Sequence, residues 1–234
     1  MKSILYYTDN RLGNPIYSKV QDQLSMVWLP IVSVSLKPIK FGQNIVVIGE
    51  RSYPTMVKQI IAGLKISLTD YVFFCEHDVL YPESHFDFAP PRDDIFYYNE
   101  NVWRWWFGND KAIRHERMLP LSVMCANRKF VLDHYLRRQQ MIQELGWDEI
   151  RSREPRWARL IGYEPGTKKK KRGGFSDDDF ATWKSEYPVI DIRHKGTFSS
   201  PKIHLKDFKH KPKWWKEIPI EEIPGWDLRK MFHL

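Results

Sequence analysis

Two carboxylates stand one residue apart in Glu76-His77-Asp78, directly after an apolar run from Tyr71 to Cys75. Carboxylates at the end of a buried strand are costly unless they are paired or bound to a cation. If the backbone turns between them, both can reach one divalent ion. Their hard oxygens suit Mg2+ or Mn2+, and diphosphate oxygens can complete the shell. The plainer alternative is a polar loop cap, salt-bridged to a nearby arginine, and an isolated Glu-x-Asp would be read that way. Context favours chemistry here. Thr8 and Asp9 follow the first predicted strand, and Gly49 and Glu50 follow the third. In open α/β sheets, ligands bind beyond such carboxyl ends. His77 lies between the two acids, and strand alternation points it away from them, so it is read as structural.

The elements that must position these residues are legible in the first 80 positions. Ser3 to Tyr7 reads as a strand that stops at Thr8-Asp9-Asn10. Val20, Leu24, Val27 and Trp28 have the spacing of an amphipathic helix over Tyr17 to Trp28. Ile31 to Leu36 and Asn44 to Ile48 read as strands. Ser52-Tyr53-Pro54 opens a helix whose apolar face is Met56, Ile60, Ile61, Leu64 and Leu68. Tyr71 to Cys75 is apolar throughout, as in a strand covered on both faces. This alternation predicts an α/β fold with a mostly parallel central sheet flanked by helices. Farther on, Ile95 to Tyr98 and Leu121 to Ala126 read as strands, and Arg128 to Leu145 as a helix. Ser176 is a cap for a helix from Asp177 to about Glu186, and Val189 to Ile192 is a last strand before Arg193-His194. Without a convincing linker, residues 1–201 make one domain, and residues 202–234 a basic, aromatic extension that wraps its surface.

The composition sets outer bounds. With 234 residues, 42% hydrophobic and 28% charged, the chain has the make-up of a globular protein with one substantial core. A net charge of +8 favours polyanionic partners: nucleic acid first, then an anionic membrane surface or an acidic substrate. A solvated basic surface is the bland alternative. The two cysteines, Cys75 and Cys125, sit in separate apolar runs and make neither a disulfide framework nor a zinc site. No signal peptide and no membrane-spanning stretch is evident. The expectation is therefore a cytoplasmic protein with no membrane partner.

The segment Phe73-Phe74-Cys75-Glu76-His77-Asp78-Val79-Leu80-Tyr81-Pro82 resembles the Asp-x-Asp region of GT-A glycosyltransferases. Tyr6-Tyr7-Thr8-Asp9-Asn10 is similar to their first strand, whose end contacts the nucleotide. Gly173-Gly174-Phe175-Ser176-Asp177-Asp178-Asp179 is similar to the Gly-Gly-Phe and acidic-pair region of the inverting members. The resemblance spans about residues 3 to 198, through short motifs, and departs from the family in having Glu76 where an Asp is usual. The combination with Asp191-Ile192-Arg193-His194 also resembles small bacteriophage glycosyltransferases that modify hydroxymethylated pyrimidines in DNA.

The resemblance implies a GT-A-like (Rossmann-like) domain, a nucleotide-sugar donor such as a UDP-sugar, and Mn2+ or Mg2+. It makes Asp78 a direct metal ligand and His194 a third ligand. Glu76 would hold the ribose or bind the metal through water. Tyr7, Thr8 and Asp9 would face the base and ribose, and Arg51 a phosphate. Asp177 and Asp178 become candidates for the base that takes the acceptor's proton, against a simpler role as negative charges at a helix N-terminus. The anomeric outcome, the sugar and the oligomeric state stay open.

Two segments interleave cations with rings. Trp103, Arg104 and Trp105 lie in the first, read either as core or as acceptor-pocket wall. Lys209, Lys211 and Trp214 lie in the second, in the extension. Lys169 and Lys170 belong to a basic loop. Such residues neutralise phosphates and stack on unpaired bases, so DNA is the favoured acceptor. A glycan, lipid or protein acceptor, a non-catalytic nucleic-acid-binding protein and a metal-dependent nuclease remain competing readings.

Overall fold

The computed structural model describes residues 1–116, 118–147, 164–166, 180–199 and 201–234. The first half alternates β1 (Lys2–Thr8), α1 (Ile16–Ser25), β2 (Ile31–Ser35), β3 (Gln43–Val46), α2 (Tyr53–Ile66) and β4 (Tyr71–Glu76). The two-residue strand β5 (Val79–Leu80), β6 (Phe96–Asn99), β7 (Val102–Trp106), β8 (Lys111–His115) and β9 (Met124–Asn127) follow, then α3 (Arg128–Leu145). β10 (Phe180–Trp183), β11 (Val189–Arg193), β12 (Trp215–Pro219) and the short α4 (Leu228–Phe232) complete the described elements.

One sheet has seven strands in the order β10-β6-β9-β4-β1-β2-β3. Its β3-β2-β1-β4 half is parallel throughout, and β9 alone among its described strands runs antiparallel, between β4 and β6. Alternation along β1 supplies both faces. Leu5 meets α2, where a Cβ on Gly63 would come within 2.2 Å of Leu5 Cδ1, so only glycine lets the helix sit this close. Tyr6, on the other face, approaches Tyr17 and Gln21 of α1. Ser52 caps α2 by accepting from Thr55 N at 3.2 Å, with Pro54 in the first turn, as its sequence predicts.

Three expectations are corrected. Trp28 does not belong to the first helix, which ends at Ser25, and its side chain is exposed. Leu121–Val123 is a 3-10 turn after Pro120, and only Met124–Asn127 is strand. Phe180–Trp183 is a strand paired in parallel with β6 rather than the end of a helix. There the aromatic and β-branched content of Phe-Ala-Thr-Trp prevails over a Ser-Asp helix start. Asp177, Asp178, Lys169 and Lys170 lie outside the described residues.

A second sheet, β12-β8-β7-β11-β5, was not foreseen as a unit. Residues 202–234 supply its edge strand β12, which runs antiparallel to β8. They also bury Ile218, Ile220, Trp226, Leu228 and Phe232 in the common core. The extension is thus built into the fold rather than laid over it. Among the described residues no helix is long and apolar enough to cross a membrane.

His85 is wholly buried among the rings of Phe73, Tyr81, Phe86 and Trp183, and its Nδ1 accepts from Asn99 Nδ2 at 3.0 Å. Burial pushes its pKa down to about 3, against about 6.5 in an unfolded chain. Between those values the unfolded chain binds the extra proton. Stability is therefore full above pH ~6.5 and falls as the pH drops toward 3, by about 1.4 kcal/mol per unit from this group. Buried His134, also shifted down, adds to the effect. Denaturant unfolding at pH 7 and pH 5 should show the loss, and it should be smaller by about 2 kcal/mol in His85→Phe. The same pH dependence in both proteins would contradict this account.

Candidate functional site

The strand order β3-β2-β1-β4 places β2 on one side of β1 and β4 on the other, so the chain reverses its winding between β1 and β4. The carboxyl ends of such a pair part to leave a crevice. A cavity of about 670 Å³ opens there, lined by Tyr7, Thr8 and Asp9 at the end of β1 and by Glu76, His77 and Asp78 at the end of β4. Arg51, Ser52 and Tyr53 at the start of α2 form another wall.

The second sheet supplies the far side. β11 pairs antiparallel with β5, Ile190 opposite Leu80 and Asp191 opposite Val79. Ile192 N donates to Asp78 O at 2.9 Å. This brings His194 against the acidic segment, with its Nε2 3.3 Å from Asp78 Oδ2. One ligand atom each from His77, Asp78 and His194 lies within 4.8 Å of the others.

His77 is the correction here. β4 ends at Glu76 and the chain turns through His77 and Asp78. Strand alternation, which would have sent the imidazole away, therefore no longer applies. Glu76 moves the other way: β1–β4 register sets it beside Tyr7, whose hydroxyl donates to Glu76 Oε1 at 2.5 Å. It stands next to the trio without belonging to it. Tyr81 fixes the turn, accepting from Glu76 N and donating to Ser122 O, each at 2.9 Å.

Two buried ring nitrogens, His77 Nδ1 and His194 Nε2, have no aligned hydrogen-bond partner among the described residues. Buried polar atoms are normally satisfied, and two such nitrogens beside a buried carboxylate fit a divalent cation. Gly196 N donates to His194 Nδ1 at 3.0 Å, so the neutral ring carries its proton on Nε2. A cation taking Nε2 requires that proton to shift to Nδ1, opening the Gly196 contact. Two imidazoles and one carboxylate form a softer donor set than the two carboxylates and one imidazole of Glu76, Asp78 and His194. That set favours Mn2+ or another transition metal over Mg2+.

The electrostatics are tightly coupled. Burial first, and then the Asp78 charge, push the Glu76 carboxyl up to about 8. Burial also opposes ionisation of Asp78, but His194, His77 and Arg193 outweigh it and hold that carboxyl below its ordinary value. With Glu76 protonated, Asp78 and Asp191 balance the buried guanidiniums of Arg104 and Arg193. A bound divalent ion would shift this balance toward positive charge.

Other expected residues divide sharply. Thr8 and Asp9 reach the wall but also shape the turn: Asn10 N donates to Thr8 Oγ1 and Arg11 N to Asp9 Oδ1, both at 3.0 Å. Arg51 Nε pairs with Asp9 Oδ2 at 2.7 Å, Arg51 Nη2 donates to Gly196 O at 2.7 Å, and the guanidinium lies 5.0 Å from the Phe198 ring centre. Trp103, Arg104 and Trp105 are buried in β7, away from the cavity lining, which rules out an exposed stacking surface. Lys209, Lys211 and Trp214 are exposed, with Arg114 against the Trp214 ring at 6.0 Å. The sequence reading missed the Tyr53–Trp147 stack on the cavity wall, 4.6 Å between ring centres. It also missed Asp191 and Arg193, whose spacing of two on a strand was the available signal.

No family model matches the chain, and no curated protein matches it in sequence. Among solved structures, a glycosyltransferase involved in the glycosylation of the major capsid of PBCV-1 superposes with a TM-score of 0.43 and 9% identity, over 78% of this chain and 81% of that one. The bifunctional IspDF from Campylobacter jejuni gives 0.42 and 12%, over 80% of this chain and 50% of that one. The glycosyltransferase GlyE of Streptococcus pneumoniae gives 0.39 and 8%, over 64% and 41%. Likenesses this distant carry no functional argument, and the case rests on the site itself.

A thermal-shift titration tests the trio. Mn2+ should stabilise the wild type by about 2.7 kcal/mol at a hundred times its Kd. His77→Ala and His194→Ala should each lose most of that gain, while Glu76→Gln keeps it. A His77→Ala protein that responds to Mn2+ as wild type does would return His77 to a structural role.

Proposed function

We propose that the chain is a metal-dependent glycosyltransferase that moves a sugar from a nucleotide-sugar donor, a UDP-sugar for preference, to an acceptor hydroxyl. The observation that carries this reading is the His77–Asp78–His194 trio at the switch point of a parallel sheet, where Glu76, His77 and Asp78 line a cavity of about 670 Å³. That is a nucleotide-sized space, and the trio beside it would hold a cation. The Tyr53–Trp147 stack offers an apolar wall for a base or sugar face. Glu76, gripped by Tyr7, would accept from a ribose hydroxyl. A divalent cation, when bound, supplies Lewis-acid charge to the diphosphate. In the transfer, the acceptor oxygen bonds to the anomeric carbon and the carbon–oxygen bond to the diphosphate breaks. The diphosphate keeps the electron pair, and the hydroxyl proton passes to a base, the role proposed for Asp177 or Asp178 in an inverting reaction.

For the acceptor we favour a hydroxymethylated pyrimidine in DNA. The support is the lysine-rich segment Lys206, Lys209, Lys211, Lys213 and Lys216, which is exposed and carries Trp214 at its surface. Exposed lysines with an aromatic face suit a phosphate backbone and an unstacked base.

Turnover of UDP-sugars, as hydrolysis or as transfer to modified DNA, is the test. Activity should require Mn2+ and fall at least roughly a hundredfold in Asp78→Asn. DNA binding should weaken with salt and weaken further in Lys209→Glu/Lys211→Glu. Turnover unchanged in Asp78→Asn would refute the cation's role. DNA binding that ignores both salt and the lysines would point to a glycan, lipid or protein acceptor.

A further inference from the structure

We infer that Arg193, held by Asp191, is the anion-binding residue of the cavity and receives the diphosphate of the donor. This rests on the nucleotide-sugar reading and names the side chain that meets its leaving group. Three charged residues share one face of the second sheet. Arg104 of β7 lies opposite Asp191 of β11, and alternation puts Arg193 on the same side as Asp191. Asp191 Oδ2 accepts from Arg104 Nε at 3.1 Å and from Arg193 Nη2 at 2.6 Å. Arg193 Nη1 donates to Ser199 Oγ at 2.8 Å. Arg193 Nε is buried and has no hydrogen-bond partner among the described residues.

A buried guanidinium nitrogen left unmet is costly, and a ligand oxygen would satisfy it. Arg193 lines the cavity with Asp191, and its neighbour Ile192 is bonded to the backbone of Asp78. Arg193 and the His77–Asp78 turn thus line the same space.

Charge counting strengthens the case. Arg104 and Arg193 share one carboxylate, Asp191, and the surplus faces both Asp78 and Glu76. Once a cation occupies Asp78, that surplus turns toward the cavity and calls for an anion. Arg51, the other guanidinium on the wall, already serves Asp9, the Gly196 carbonyl and Phe198. The planar fork of Arg193, fixed by two partners, is preorganised for phosphate oxygens.

Calorimetric titration of the full chain separates the possibilities, with Mn2+ alone, inorganic pyrophosphate with Mn2+, and UDP with Mn2+ as probes. Arg193→Gln should bind pyrophosphate at least roughly tenfold more weakly, with Arg193→Lys in between. The same Arg193→Gln protein should bind Mn2+ alone as well as wild type or more tightly, because a positive charge has left the site. A merely structural role would weaken both together, and that outcome overturns the inference, as would unchanged pyrophosphate affinity in both variants. A wild-type chain that binds Mn2+ but neither pyrophosphate nor UDP overturns the nucleotide-sugar reading, and the Arg193 assignment with it.

Discussion

The pairing of β5 with β11 is the constraint on which the site depends. β5 has two residues and β11 five, yet their antiparallel contact joins the turn after β4 to residues more than a hundred positions later. The bond from Ile192 N to Asp78 O fixes the distance between the acidic turn and His194. Without it the first sheet would carry a polar crevice open on its far side and no second histidine. The second sheet therefore does more than extend the core. It closes the crevice that the β1–β4 switch opens.

Burial then sets the chemistry. Asp78, Asp191, Arg104 and Arg193 are each under a tenth exposed, so none can rely on water for its charge. They rely on one another, and Glu76 responds to the same field by holding its proton up to about pH 8. Such mutual dependence makes the cluster sensitive to any added charge. A divalent cation would release the Glu76 proton and free the guanidiniums toward an anion. Cation and diphosphate are thus expected to favour each other's binding.

Much of this was legible in the sequence, for identifiable reasons. The β1 to β4 half was readable because its periodicities are strong and its punctuation is local: Thr8-Asp9-Asn10, Ser52 with Pro54, and a continuous apolar β4. Asp78, Thr8, Asp9 and Arg51 share one cavity wall because strand ends in a parallel sheet converge by topology alone. What failed depended on tertiary pairing. The direction of the His77 side chain was misread because a turn two residues long cancels the alternation that seemed to govern it. Trp103 and Trp105 stood between core and acceptor-pocket wall because composition does not separate the two, and the second sheet makes them core. Asp191 and Arg193 were in view at the correct spacing, but only the sheet shows that they share a face with Arg104. Asp177, Asp178, Lys169 and Lys170 lie outside the described residues, so their roles remain proposals.

Pulsed electron paramagnetic resonance of bound Mn2+ tests the central claim most directly, since echo modulation reports nitrogen ligands. The account predicts coupling to two imidazole nitrogens in the wild type, with one lost in His77→Ala and the other in His194→Ala. A bound ion with no nitrogen coupling, or a spectrum unchanged by both substitutions, would contradict it.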